Sequence, residues 1–198
     1  RRFLAACEYG GDKGIFAYGI TSGDVSLSNL VSNVGVIATD TTGVGSARGG
    51  TAGCEYGDDK GIFAYGHTTS AANISNLVSN SGVVASDTTG VGTSRYGLAA
   101  CSYGDDKGIF AYGTTGSNTS LSNLVSNSGV VASDTTGVGT ARKELAACEY
   151  DLDKAIFAYG YTSSASSLSN KVSDEGVIAS NVTGVGTARW VLAACSFN

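Results

Sequence analysis

Proline and methionine are absent from the 198 residues, histidine and tryptophan occur once each, and only 15% of positions are charged. An average globular domain is roughly 25% charged. Low charge with a 42% hydrophobic fraction excludes disorder, which needs many charges and few apolar residues. The net charge is −5, and the basic residues form no run and no basic face. Binding to nucleic acid phosphates, which is built from clustered Lys and Arg, is therefore not expected. No apolar run approaches the roughly 18 residues that read as a membrane-spanning helix, so no membrane insertion is expected. Arg1-Arg2-Phe3 leads straight into a repeat, so no signal segment is expected. Without an initiator Met, the chain reads as a processed chain or a segment of a longer one.

The same scarcities bear on chemistry. A lone His67 has no partner of the kind acid–base catalysis requires, and no Ser–His–Asp or Cys–His arrangement repeats. One histidine is too few for a copper oxidase site built from His and Tyr. No Cys-x-x-Cys spacing suggests zinc. Glycine strings such as Gly43-Val44-Gly45 open no helix, so a phosphate cradle is not expected. No catalytic residue, cofactor or metal is expected.

What the sequence has in abundance is repetition. Cysteines fall at 7, 54, 101, 148 and 195, always 47 residues apart. Ile15-Phe16-Ala17-Tyr18-Gly19 recurs at 62–66, 109–113 and 156–160, and Thr42-Gly43-Val44-Gly45 recurs at 89–92, 136–139 and 183–186. No insertion or deletion separates the copies, so each occupies an equivalent place in a regular array. The units run over about 1–47, 48–94, 95–141 and 142–188, followed by the start of a fifth copy at 189–198.

One unit reads as four short strands. Strand a is Leu98 to Tyr103, and a Gly-bracketed hairpin turn follows at 104–108. Strand b is Ile109 to Tyr112. A polar, variable loop covers 114–119. Strand c is Leu121 to Ser126, and strand d is Val130 to Ser133. No segment has a useful helical period. Four strands in a repeat of this length predict an all-β fold, a β-propeller of four-stranded antiparallel blades. The small residues of strand a, Ala99 and Ala100 among them, suit the crowded axis. The fifth copy predicts an additional inner strand, Leu192 to Phe197.

Arg95, then Leu98-Ala99-Ala100, then Gly108-Ile109-Phe110-Ala111-Tyr112-Gly113 resembles the kelch pattern, with Tyr-Gly in place of Gly-Gly and no Trp after strand c. The string at 124–140, Leu-Val-Ser-Asn-Ser-Gly-Val-Val-Ala-Ser-Asp-Thr-Thr-Gly-Val-Gly-Thr, is similar to repeats of virion-associated and tail-fibre-like proteins of marine bacteriophages. That resemblance implies a virion or extracellular location and a role at a particle surface. It transfers no site residues.

Four features are candidates for chemistry. The cysteines read as small buried hydrophobes repeated by duplication, with a Cys₄ site at the axis or a Cys7–Cys195 clasp as alternatives. The paired acids Asp58-Asp59 and Asp105-Asp106 read as turn residues rather than a Ca²⁺ site. Asp40, Asp87 and Asp134, with Arg48, Arg95, Arg142 and Arg189 eight residues beyond each Asp or its Asn181 counterpart, predict structural pairs between neighbouring units. The functional alternative is a channel in which these arginines bind an anion. Divergence between copies concentrates in the loops at 20–25, 67–72, 114–119 and 161–166, which marks either tolerance or recognition on one face. Their hydroxyls and rings make His67, Thr68, Thr114, Asn118 and Tyr161 candidate carbohydrate-binding residues.

Together these readings predict a non-enzymatic structural or adhesion propeller, a phage tail or fibre component touching a host surface glycan. Other virion proteins or copies of the chain itself are the further partners expected. The alternative is a kelch-like module that docks proteins.

Overall fold

Each unit folds as a three-stranded antiparallel sheet, and four such sheets follow one another along the chain. The computed structural model describes residues 1–196, and every regular element within them is a strand. Unit one holds β1 (Ala5–Tyr9), β2 (Lys13–Ala17) and β3 (Ser28–Val31); unit two holds β4 (Ala52–Tyr56), β5 (Lys60–His67) and β6 (Ala71–Val78). Unit three holds β7 (Ala99–Tyr103), β8 (Lys107–Ala111) and β9 (Ser122–Val125); unit four holds β10 (Ala146–Tyr150), β11 (Lys154–Ala158) and β12 (Ser169–Val172). The register repeats with the sequence: Cys7 faces Ile15, Cys54 faces Ile62, Cys101 faces Ile109 and Cys148 faces Ile156.

The predicted fourth strand is not a continuous strand. Residues 130–135 touch β9 through two isolated bridges, Val125 with Val131 and Ser122 with Thr135. The reason lies in a side chain. Asn123 donates its amide to the Ala132 carbonyl at 3.0 Å, and the same bond recurs from Asn29, Asn76 and Asn170. A side-chain bond of this kind competes with the backbone ladder, whose two bridges here differ by one residue in register. The predicted fifth inner strand is corrected as well. Leu192–Ser196 forms no strand, and Phe197, also assigned to it, lies outside the described residues. Every other strand a pairs with the strand b that follows it, and among the described residues no strand follows Leu192.

The core lies between sheets, because alternate residues of strand b point to opposite faces. Ile15, Ala17 and Tyr18 of unit one cluster with Phe63 and Val78 of unit two. Ile62, Ala64 and Tyr65 meet Phe110 and Val125, and Ile109, Ala111 and Tyr112 meet Phe157 and Val172. Four units thus share three cores. At each junction a Tyr ring meets the edge of the next unit's Phe, with centroids 5.6, 5.5 and 5.5 Å apart. A packed edge-to-face pair of this kind contributes roughly 0.5–1.5 kcal/mol beyond its burial.

The acids read as turn residues are turn residues. Gly104 and Asp105 take φ of 56° and 66°, and Asp106 accepts from Asn127 at 2.9 Å, tying the turn to the end of strand c. Unit four departs from the pattern: Asp151 and Leu152 stand at φ 57° and 64°, and Leu152 is 67% exposed. A branched apolar side chain held in the left-handed region costs about 1–2 kcal/mol and gains nothing in solvent. Leu152→Gly is expected to stabilise the chain by about 1 kcal/mol once glycine's greater unfolded-state freedom is deducted. A thermal melt should rise by roughly 2–4 °C.

Candidate functional site

The repeated arginines are the most deeply built polar feature. Arg95 is fully buried. Its Nε donates to the Tyr112 carbonyl at 3.0 Å, Nη1 to the Thr93 carbonyl at 3.2 Å, and Nη2 to Asn123 Oδ1 at 2.5 Å. Its guanidinium lies over the Tyr65 ring of the preceding unit at 4.1 Å. The Tyr112 it holds stands at φ 66°, a strained conformation for an aromatic residue. Arg48 and Arg142 repeat the stack on Tyr18 and Tyr112 at 4.1 and 4.2 Å.

The carboxylate partners lie within the unit. Arg48 is 3.9 Å from Asp87, and Arg95 is 3.8 Å from Asp134. The neighbouring unit is reached through the Tyr ring, so the expected ion pair between units is replaced by a cation–π stack. Burial alone would raise the Asp134 carboxyl. Hydrogen bonds from Thr93 and Asn123, with the Arg95 charge, outweigh it and hold the group below the usual carboxylate range. Asp40 accepts from Asn29, whose Oδ1 is bonded by Arg1, the repeat counterpart of Arg48. In unit four Asn181 stands in place of the Asp and bonds Thr140, while Arg142 donates to the Tyr159, Thr140 and Phe157 carbonyls. Arg189 is exposed, lies over Tyr159 at 3.8 Å and donates to the Thr187 carbonyl. The buried arginines spend their donors on the chain itself and do not line a channel, which corrects the anion-binding alternative.

The cavity along β1, β4, β7 and β10 is lined by something else. A space of about 370 Å³ is bounded by Cys7, Cys54, Cys101, Cys148 and Cys195, together with Glu8, Glu55, Ser102 and Glu149. All five cysteines are free thiols. Burial pushes the Cys54 thiol up to about 12 and raises Cys7 and Cys101 well above the usual value. Such thiols stay protonated at neutral pH and are poor nucleophiles. Cys54 sits so close to unit three that a Cβ on Gly108 would lie 2.6 Å from its Sγ.

Burial, then the charges of Glu8 and Glu149, push the Glu55 carboxyl up to about 7. This acid holds its proton more tightly folded than unfolded. Its ionisation therefore withdraws stability as pH rises from about 4.5, the ordinary glutamate value, through 7. Glu55→Gln should leave stability unchanged at pH 4. At pH 8 it should raise stability by about 1 kcal/mol, a figure discounted for solvent screening at a half-exposed carboxylate. Urea titrations at the two pH values measure the difference.

The divergent loops sit against the residues just after each arginine. Ile20 bridges to Arg2, His67 to Gly49, Thr114 to Tyr96 and Tyr161 to Lys143. The five expected binding residues are not gathered in one place. Thr114 is 3% exposed, and its Oγ1 accepts from Gly116 N. Asn118 spends its amide on the Tyr161 and Thr162 carbonyls at 3.0 and 2.9 Å. Tyr161 packs on Trp190 with centroids 5.2 Å apart. Thr68 is half-buried, and its N–H donates to the Ser70 carbonyl.

His67 alone borders a cleft. Its ring meets Tyr96 at 4.9 Å, and the two bound a space of about 190 Å³ with Phe3, Gly50, Gly97 and Glu144. Glu144 Oε2 is buried there without a hydrogen-bond partner. Gly50, Gly97 and Glu144 are repeat counterparts, joined by main-chain bonds from Gly97 N to Gly50 O at 3.0 Å and from Glu144 N to Gly97 O at 2.7 Å. The two glycines leave the floor of the cleft bare. The sequence carried a signal for these residues: the pair after each arginine reads Gly-Gly, Tyr-Gly, Lys-Glu and Trp-Val, as divergent as the loops. No protein-family model and no curated protein matches the chain.

Proposed function

We propose that the chain is a non-enzymatic binding and spacer module, a propeller-type array that takes a neutral glycan in the cleft between His67, Tyr96 and Glu144. The observation that carries this reading is the buried, unpartnered Glu144 Oε2 beside two aromatic rings. Sugar rings stack their apolar faces on aromatic side chains, and their hydroxyls donate to carboxylates. The resemblance of the 124–140 string supports placing the module on a phage particle, where a host surface glycan is the ligand. Four sheets whose first strands line one cavity suit a propeller with three-stranded blades whose fourth edge is only bridged.

A glycan array probed with the 198-residue chain tests the reading. A retained neutral oligosaccharide should be released by Tyr96→Ala and weakened about tenfold or more by Glu144→Gln, since a lost bond to a charged group costs about 1.5–3 kcal/mol. An array that retains nothing rejects it. A second reading, a kelch-like docking module, is favoured by an apolar space of about 290 Å³ lined by Leu4, Leu98, Leu145 and Leu192, which suits a peptide side chain. Capture of a peptide with no glycan retained would select that reading.

A further inference from the structure

Two residues break the repeat where the fold leaves polar atoms unsatisfied. Positions 4, 51, 98, 145 and 192 are counterparts, and they read Leu, Thr, Leu, Leu and Leu. Positions 3, 50, 97, 144 and 191 read Phe, Gly, Gly, Glu and Val. Thr51 is 7% exposed, and its Oγ1 is buried without a hydrogen-bond partner. Glu144 Oε2 is in the same state. Among the described residues one further side-chain atom shares it, Asn170 Oδ1, whose counterpart Asn123 Oδ1 is bonded by Arg95. A buried hydroxyl or carboxylate oxygen without a partner destabilises a fold. Leucine at position 51 would avoid that loss, as it does in the other copies.

Thr51 and Glu144 line one space, the cavity of about 290 Å³ that also touches Leu98 and Leu145. This space shares a wall with the His67 cleft, since Phe3, Gly50, Gly97 and Glu144 bound both. Gly50 and Gly97 add no side chain to that wall. We infer that, within the glycan reading on which this rests, the ligand is a 2-acetamido sugar. Its ring stacks on His67 and Tyr96, and its acetamido group enters the leucine-lined space. The three parts of that group answer three features of the site. The N–H donates to Glu144 Oε2, the carbonyl accepts from the Thr51 hydroxyl, and the methyl is buried among the leucines. A sugar hydroxyl in the same place would set a polar group against the apolar wall. An ammonium could bond both oxygens, but burial among leucines would strip its water for those two bonds alone.

Three forms of one glucose-based trisaccharide, with acetamido, hydroxyl or ammonium at C2, test this by calorimetry with the full chain. The acetamido form should bind about tenfold tighter than the hydroxyl form, since two hydrogen bonds and a buried methyl distinguish them. Thr51→Val keeps the shape of the side chain and removes the hydroxyl. It should weaken the acetamido form about threefold to tenfold and leave the hydroxyl form unchanged. Its melting temperature should stay the same or rise, because an unpartnered buried hydroxyl is gone. A Thr51 that served structure alone would move both sugars together or neither. Equal binding of the acetamido and hydroxyl forms, tighter binding of the ammonium form, or a preference that survives Thr51→Val intact overturns the inference and leaves the glycan reading standing. If none of the three binds, the glycan array decides. Retained sugars that all carry an acetamido group uphold the inference, retained sugars without one overturn it alone, and an empty array overturns both.

Discussion

Replacing Arg95 by alanine should cost about 3–5 kcal/mol of unfolding free energy, the cost of breaking a buried charged cluster by removing one member. The guanidinium serves three acceptors and one ring. Without it the Tyr112 carbonyl and Asn123 Oδ1 are left unbonded in the interior, and the carbonyl of exposed Thr93 loses its partner. The face of Tyr65 loses its cover. Asp134 keeps its bonds from Thr93 but loses the cation 3.8 Å away. Arg95→Lys should fare little better, because an ammonium cannot reach the three acceptors through a planar fork and stack at the same time. Chemical denaturation of both variants gives the number. A loss under about 1 kcal/mol for Arg95→Ala would mean that the cluster is not what holds the left-handed turn at Tyr112.

The second large effect is a contrast between equivalent positions. Phe110→Ala should cost about 3–5 kcal/mol, while Phe16→Ala should cost less than about 1 kcal/mol in dilute protein. Residue type, strand and register are the same in the two cases: Phe16 pairs with Asn29, and Phe110 with Asn123. The difference lies outside the unit. Phe110 is fully buried beneath Tyr65 at 5.5 Å, whereas Phe16 is 37% exposed and, among the described residues, packs on no Tyr ring. Equal losses at the two positions would show that the core lies within sheets rather than between them.

Much of the fold was legible in the sequence because period and turn chemistry are local. The 47-residue spacing, the a–b hairpin and the place of strand c could be read from residues near one another. The fourth strand could not, because the Asn123 amide takes the Ala132 carbonyl from nine positions away. The arginine cluster was half legible. Asp134 and Arg95 stood out as repeated charges, but Asn123 looked like an ordinary strand residue, although it is fully buried and bonds Arg95 across 28 positions. In the loops, composition said nothing of direction. Thr114 turns inward to bridge with Tyr96, while Glu144, two residues past Arg142, reaches the cleft beside His67.

The arginine cluster also governs how such a chain can lengthen. Arg95 bonds partners 17 and 28 residues ahead and stacks on a ring 30 residues behind. An insertion in either interval that is not looped out would pull some partner out of reach. A whole extra unit changes none of these distances and brings its own arginine, asparagine and tyrosine. Gene duplication in steps of one unit is thus the one length change that every junction tolerates, and chain length becomes a quantised trait with the cluster as its ruler.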